Sequence, residues 1–362
     1  MFWACATLLG ITSTGLDASA QPVDPLGQVL IVGSDGQPAG TLIPDLDTPR
    51  GTALAADGTF FVSVTGGLGS VGGVVLKAEP GGVATPFVTD VTPFDLEIDP
   101  ASGDLFVSDA SGGILRVPVT GPSAGVPLTG PASSTPGVYV DAFVLPGGAP
   151  GGPVVPSGIG FGPTGNLFAG LQSSNPAEPG NAGLLEIDLT TGVATQVGIL
   201  DTPFDVQVDS QGNVFANNIV PGSTVGDAAG EIAFFPGLGA PDAPDVTTPI
   251  ESETFAPVGI RGLAIGPVGS DIEDTVLAST AALTIVAFDA FDPATFDPAF
   301  TGDLFAGPPL SDIQDPFAFD IQFLPGGNFQ LLLSVDPIIP EPATAAVMGV
   351  FGLALVRRRR GR

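Results

Sequence analysis

The sequence predicts an all-β chain: six strand-turn-strand units closed into a ring, a six-bladed β-propeller. Three observations predict it. Residues 92–99 (TPFDLEID) and 202–209 (TPFDVQVD) are two copies of one motif, each running through a Gly-containing turn into a short apolar strand at 105–108 and 214–217. Looser copies begin at Pro49, Pro156, Pro257 and Pro316, which brings the count to six. A second hairpin follows each of the first five, and the sixth is missing from its expected place.

The inner units owe their turns to residues that tolerate positive φ, namely Asp57-Gly58, Gly165-Asn166 and Gly326-Gly327-Asn328. The second hairpins open with small residues and a β-rich run, at 73–76, 113–116, 183–186, 231–234 and 283–286. The displaced sixth hairpin is read at the N-terminus, in residues 27–32, with a turn at Gly36 and a return at 41–43. A ring closed by borrowing its last hairpin from the N-terminus hides the edges that an open array would expose. A β-sandwich shares the strand composition and leaves that displacement without a reason. Residues 27–336 shared among six units give about 52 each, near the ~40–50 of known propeller repeats. The surplus falls in the Pro/Gly-rich insertions 121–156 and 236–256. The phenylalanines recur in strand positions and are read as filling the spaces between blades; with one Tyr and one Trp, a sugar-stacking platform is not expected.

The composition removes several function classes. The 362 residues carry 9 Lys plus Arg against 38 Asp plus Glu, a formal charge of -29, so phosphate backbones are repelled and nucleic acid is excluded as a partner. Only Arg50, Lys77, Arg116 and Arg261 lie in the body; the other five basic residues are in the last six positions. There is no His, and the single Cys is Cys5, so His bases, Cys nucleophiles and His/Cys metal sites are absent. Catalysis, if any, falls to carboxylates, hydroxyls or a hard cation.

The two ends read as address signals. Residues 1–15 are largely apolar, and Ala18-Ser19-Ala20 resembles the cleavage site of a secretory signal peptide spanning 1–20, though no basic residue precedes the apolar run. A short buried helix is the alternative. At the other end, Pro340-Glu341-Pro342 precedes apolar residues 343–356 and then Arg357, Arg358, Arg359 and Arg360. Fourteen helical residues span roughly 21 Å, short of a ~30 Å hydrocarbon core, but four adjacent arginines suit a cytoplasmic membrane face. This short membrane helix with its flanks, residues 340–362, resembles the PEP-CTERM sorting signal. The resemblance implies export, transient passage through the inner membrane and processing by an exosortase. It further implies delivery to the cell surface or a biofilm matrix, with extracellular polysaccharide or a surface protein as partner.

The repeat pattern P-x-G/D-φ-x-φ-D…G-N-φ-F-V, with φ apolar, resembles the NHL-repeat and gluconolactonase-like six-bladed propellers over most of residues 27–336. Activities there range from Ca2+-dependent lactone hydrolysis to binding alone. Alignment on the turns puts Gly51, Asp95, Gly158, Asp205, Gly262 and Asp320 at one position, and Ala53, Glu97, Gly160, Gln207, Ala264 and Gln322 two residues on. Alternation along a strand sends both sets to one face, toward the central channel. Asp95, Asp205 and Asp320 then form a pseudo-threefold ring whose mutual repulsion raises their pKa values unless a cation relieves it. Ca2+ is the candidate, with Asp109 and Asn217 offered by the next strand. The resemblance implies that acidic and amide residues at this mouth hold a divalent cation, and Asp95, Asp109, Asp205 and Asn217 are the positions that match. The glutamate which the lactonase pattern places early in the first inner strand is absent, since Gly51 and Ala53 stand there. Three readings of the ring are open: hydrogen bonding to water and turn amides, a bound cation, or a catalytic cation. Arg50 and Arg261, near the same mouth, either pair with the aspartates or recognise a ligand carboxylate. The function read from these features is an exported binding or structural module, with a Ca2+-dependent lactonase-like hydrolase or lyase as the alternative.

Overall fold

A computed structural model describes residues 27–32, 38–46, 49–65, 72–79, 83–111, 113–141, 154–173, 183–198, 200, 203–219, 230–238, 250–251, 260–266, 276–280, 285–289, 299–303, 316–323 and 331–337. The signal-peptide segment 1–20 and the sorting segment 340–362 lie outside them. Within the described residues no helix is long and apolar enough to cross a membrane.

The described strands form six four-stranded antiparallel sheets. One runs β3 (Pro49–Leu54), β4 (Phe60–Val64), β5 (Gly73–Ala78), β6 (Thr85–Val91), and the next β7 (Pro93–Ile98), β8 (Leu105–Asp109), β9 (Gly113–Val117), β10 (Val140–Asp141). The third comprises β11 (Val154–Phe161), β12 (Leu167–Ser173), β13 (Gly183–Asp188) and β14 (Val193–Gly198). The fourth comprises β15 (Pro203–Val208), β16 (Val214–Ile219), β17 (Gly230–Phe235) and β18 (Ile250–Glu251). A fifth contains β19 (Ile260–Ile265), β20 (Val276–Thr280), β21 (Ile285–Asp289) and β22 (Ala299–Asp303).

The last sheet joins the two ends of the chain. β23 (Pro316–Phe323) and β24 (Leu331–Pro337) are followed in space by β1 (Gly27–Val32) and β2 (Pro38–Leu46). β1 lies antiparallel to β24, with Val29 opposite Ser334 and Leu30 opposite Leu333, so the displaced N-terminal hairpin supplies the outer half. The first strands meet in cyclic order, β3 with β7, β11, β15, β19, β23 and back to β3.

The core lies between sheets rather than inside any one. Phe61, Phe106, Phe168 and Phe215 occupy the second residue of β4, β8, β12 and β16, and each is fully buried. Phe61 or its neighbours pack with Leu96, Leu105 and Val107 of the next sheet, Phe106 with Ile159 and Leu167, and Phe168 with Val206 and Val214. Phe215 continues the series against Leu263 and Val276, while Val29 and Ile43 of the N-terminal hairpin pack on Phe60 and Val62. Each such aromatic contributes about 1.5–3 kcal/mol of burial, shared between its own sheet and the neighbouring one. Stacking therefore helps to make each sheet stable. Outer strands β10 and β18 are two residues long, which leaves little edge for another chain to pair with.

Candidate functional site

Every first strand carries a register irregularity near its start, at 49/52, 93/96, 156/159, 203/206, 260/263 and 318/320. Such a bulge takes one or two backbone N–H groups out of the ladder, and a buried N–H needs another acceptor. Side chains supply it. On the second strand, Ser108 Oγ accepts from Asp95 N at 2.8 Å and Ser279 Oγ from Gly262 N at 2.9 Å. At the same register, Asn217 Oδ1 accepts from Asp205 N at 2.6 Å and from Phe204 N at 2.8 Å. β12 has Gly170 at this position, and there the first strand's Ser157 plays a different part: its single O–H lies within reach of two carbonyls, Pro203 O at 2.7 Å and Gly170 O at 3.1 Å.

The aspartates serve the same purpose across sheets. Asp95 Oδ1 accepts from the following amide, Leu96 N, at 2.8 Å, and Oδ2 from Ile159 N of β11 at 2.7 Å. Asp205 repeats this with Val206 N at 2.7 Å and Leu263 N of β19 at 2.5 Å, and Gln207 Nε2 adds a bond at 3.4 Å. Both carboxyls are buried, and each fastens its strand to the next. The glycines of the alternation have an equally local cause. A Cβ on Gly51 would lie 2.5 Å from Asp95 Cα, and one on Gly158 2.1 Å from Asp205 Cα. β3 and β11 press their backbone on the aspartate of the next sheet; β7 and β15 send a carboxylate onward.

At Asp95 and Asp205 the carboxylates meet backbone amides of the neighbouring strand. The bulge breaks the every-second-residue rule, leaving Asp95 and Leu96 both buried, and turns the carboxylates sideways into neighbouring strands. Asp205 is pushed up to about 6, as the ring reading expected, but the cause is burial, opposed by the Leu263 amide and its other donors. Asp109 is engaged locally: Oδ1 accepts from Thr92 N and Ser111 N, each at 3.0 Å, and Oδ2 from Ser111 Oγ at 2.6 Å. Asn217 Oδ1 spends both lone pairs on backbone amides. Glu97 and Gln207 are half-buried on β7 and β15. The side chains of Arg261, Asp320 and Gln322 lie outside the described residues, although their strands are in place. Among the described residues no group of three His, Cys, Asp or Glu could hold a metal ion; Asp320, one of the five expected ligands, has its side chain outside them.

One feature of the mouth escaped the sequence reading. Phe94 and Phe204 each immediately precede a ring aspartate, and their ring centroids lie 5.7 Å apart at 44°. Arg50 lies over the Phe94 ring, Cζ 4.8 Å from its centroid, and its Nε donates to Thr65 Oγ1 at 3.2 Å. The signal was available: both copies of the TPFD motif carry the phenylalanine, which was assigned with the others to the spaces between blades.

No protein-family model matches the chain, and no curated protein matches it. Solved structures do. The periplasmic gluconolactonase PpgL of Pseudomonas aeruginosa is 17% identical over 85% of this chain and 88% of its own, with a TM-score of 0.50. The gluconolactonase XC5397 of Xanthomonas campestris is 13% identical over 89% of this chain and 93% of its own, at a TM-score of 0.48. The Dos1 propeller is 10% identical over 81% and 70%, at 0.43. At such identities the PpgL likeness bears on the fold alone: the chain is all-β, of β-propeller type.

Proposed function

We propose that the chain is an exported six-bladed β-propeller that acts as a binding and structural module, carried to its destination by residues 340–362. The observation that carries this reading is the use of the polar ring. Asp95, Asp205 and Asn217, the side chains best placed for chemistry, are engaged in holding bulged strands together. Six sheets with cyclically touching first strands support the blade number. The PEP segment and its arginines support exosortase processing after export through the inner membrane, with the cell surface or a polysaccharide matrix as destination.

A second reading has its own observation. A solved propeller that this chain resembles is a gluconolactonase, described as periplasmic, which supports lactone hydrolysis as the alternative. Asp205, titrating near 6, would be its acid or base, released from Leu263 for the purpose. Proton release from gluconolactone, followed with and without added Ca2+, separates the two. The module reading expects no rate above spontaneous hydrolysis. A Ca2+-dependent rate that Asp205→Asn abolishes would overturn it.

A further inference from the structure

We propose that residues 118–139 are a strap that ties the sheets β3–β6, β7–β10 and β11–β14 into one cooperative unit, so that loosening it over either outer sheet loosens it over the other.

The strap starts from an interrupted edge. Beside β9 the fourth strand of the sheet comes in two pieces. One is Leu128, whose N donates to Arg116 O at 2.8 Å; the other is β10, preceded by Tyr139 N on Ile114 O at 2.9 Å. On either side of Leu128 the chain leaves that edge, once in each direction. Before Leu128, Val119 is buried in the seam with β3–β6, and Phe87 of β6 and Val138 pack on the same cluster. Gly125 lies against β6 itself, since a Cβ there would stand 2.8 Å from Phe87 O. After Leu128, Ala132 Cβ reaches the β13–β14 turn, 3.0 Å from where a Cβ on Gly192 would stand. Tyr139 then returns into the seam with β11–β14. Its ring meets Phe106 edge-on at 5.7 Å, and its Oη donates to Leu189 O at 2.8 Å.

The crossing is fastened in the middle and at its second excursion. Arg116 of β9 donates from Nε to Asp104 Oδ2 at 2.7 Å and from Nη1 to Tyr139 Oη at 3.2 Å. Its Cζ lies 5.7 Å from the Phe106 ring centroid and 5.4 Å from that of Tyr139. Residues 129–138 are closed on themselves by Gly130 N on Val138 O at 3.1 Å and Gly137 N on Thr129 Oγ1 at 2.9 Å. Asp141 Oδ2 holds their tip, accepting from Ser133 Oγ, Ser134 N and Thr135 N, each at 3.0 Å. Ordering so long a connection costs much chain entropy. Five prolines between 118 and 136 reduce the freedom there is to lose, and no charged residue between 118 and 140 adds to the acidic excess. Contacts that are small one by one share a single backbone, so they open together.

Hydrogen exchange of the full-length protein, read by mass spectrometry on peptides, tests the coupling. Tyr139→Phe removes the hydroxyl that reaches Leu189, at one outer sheet; Gly125→Ala forces a methyl against β6, at the other. Each variant should speed exchange about fivefold in both strap halves, 118–128 and 129–141, and in the outer strands at both ends, 84–91 and 183–198. Exchange in 203–219, which carries none of these contacts, should stay unchanged. A rise confined to the end that bears the substitution would make the strap two independent loops and overturn the proposal. An equal rise in 203–219 would show a general loss of stability and overturn it too, as would no rise anywhere. If Gly125→Ala does not fold, Tyr139→Phe read at 84–91 and 118–128 decides.

Discussion

The first strands of alternate sheets solve one problem in two ways. β7 and β15 place an aspartate at the bulge, and its carboxylate satisfies one amide of its own strand and one of the next. β3 and β11 place a glycine there and let the neighbouring aspartate's backbone come close. A ring of six aspartates would crowd charge and backbone together; a ring of six glycines would leave buried amides without acceptors. The alternation gives each bulge an acceptor and each carboxylate a place. Its lesson is that aspartates repeated at one strand position, Asp95 and Asp205, can fasten one strand's backbone to the next.

Breaking the glycine side should cost most. Gly158→Ala puts a methyl 2.1 Å from Asp205 Cα, a backbone atom that cannot step aside, and the expected loss is about 3 kcal/mol or more in thermal melting. Gly170→Ala sharpens the comparison. Its nearest neighbours are the side chains of Ser157 and Pro203 at 2.9–3.0 Å, which can shift, so its loss should be clearly smaller. Equal losses would argue that strand spacing at 158 is not what demands glycine.

On the aspartate side, Asp205→Asn keeps one acceptor oxygen and sets an NH2 against a backbone N–H. The expected loss is about 2 kcal/mol in denaturant unfolding. Its pH dependence is more diagnostic. Burial holds Asp205 near 6, above its unfolded value of 3.8, so the folded protein keeps this proton longer. Its contribution to stability is full below about 3.8 and is lost as pH rises through about 6. Asp57, lowered chiefly by the Thr59 amide, acts with the opposite sign, losing its contribution as pH falls. Asp57 is present in both proteins, so subtracting the Asp205→Asn curve from wild type isolates the Asp205 slope. A flat difference between pH 4 and 6 would contradict the burial argument. The smallest effect expected is that of Ser157→Ala, about 1 kcal/mol, since one O–H shared between Gly170 O and Pro203 O is lost and Pro203 O keeps Gln172 Nε2 at 3.0 Å.

The sheet order was legible because the repeat is carried by strand residues whose spacing survives divergence. The paired TPFD motifs located β7 and β15, and the missing sixth hairpin pointed to residues 27–32, which do pair with β24. The Gly/Asp alternation was legible too, but not its meaning. Reading side-chain direction from alternation assumes an unbroken pleat, and the bulge between Pro93 and Leu96 breaks it at the one residue that mattered. The serine register of Ser63, Ser108 and Ser279 was visible as a φ-F/L-φ-S pattern, yet its role depends on which amides the bulge releases. Phe94 and Phe204 were overlooked because their contact crosses an intervening sheet, a separation that no local pattern encodes.

The account turns on Asp205 fastening β15 to β19 rather than holding a cation. Thermal melting of chelator-treated wild type and Asp205→Asn, each with and without millimolar Ca2+, tests that most directly. The account predicts a lower melting temperature for Asp205→Asn and no movement of either protein with Ca2+. A Ca2+-dependent rise in wild type that Asp205→Asn removes would contradict it.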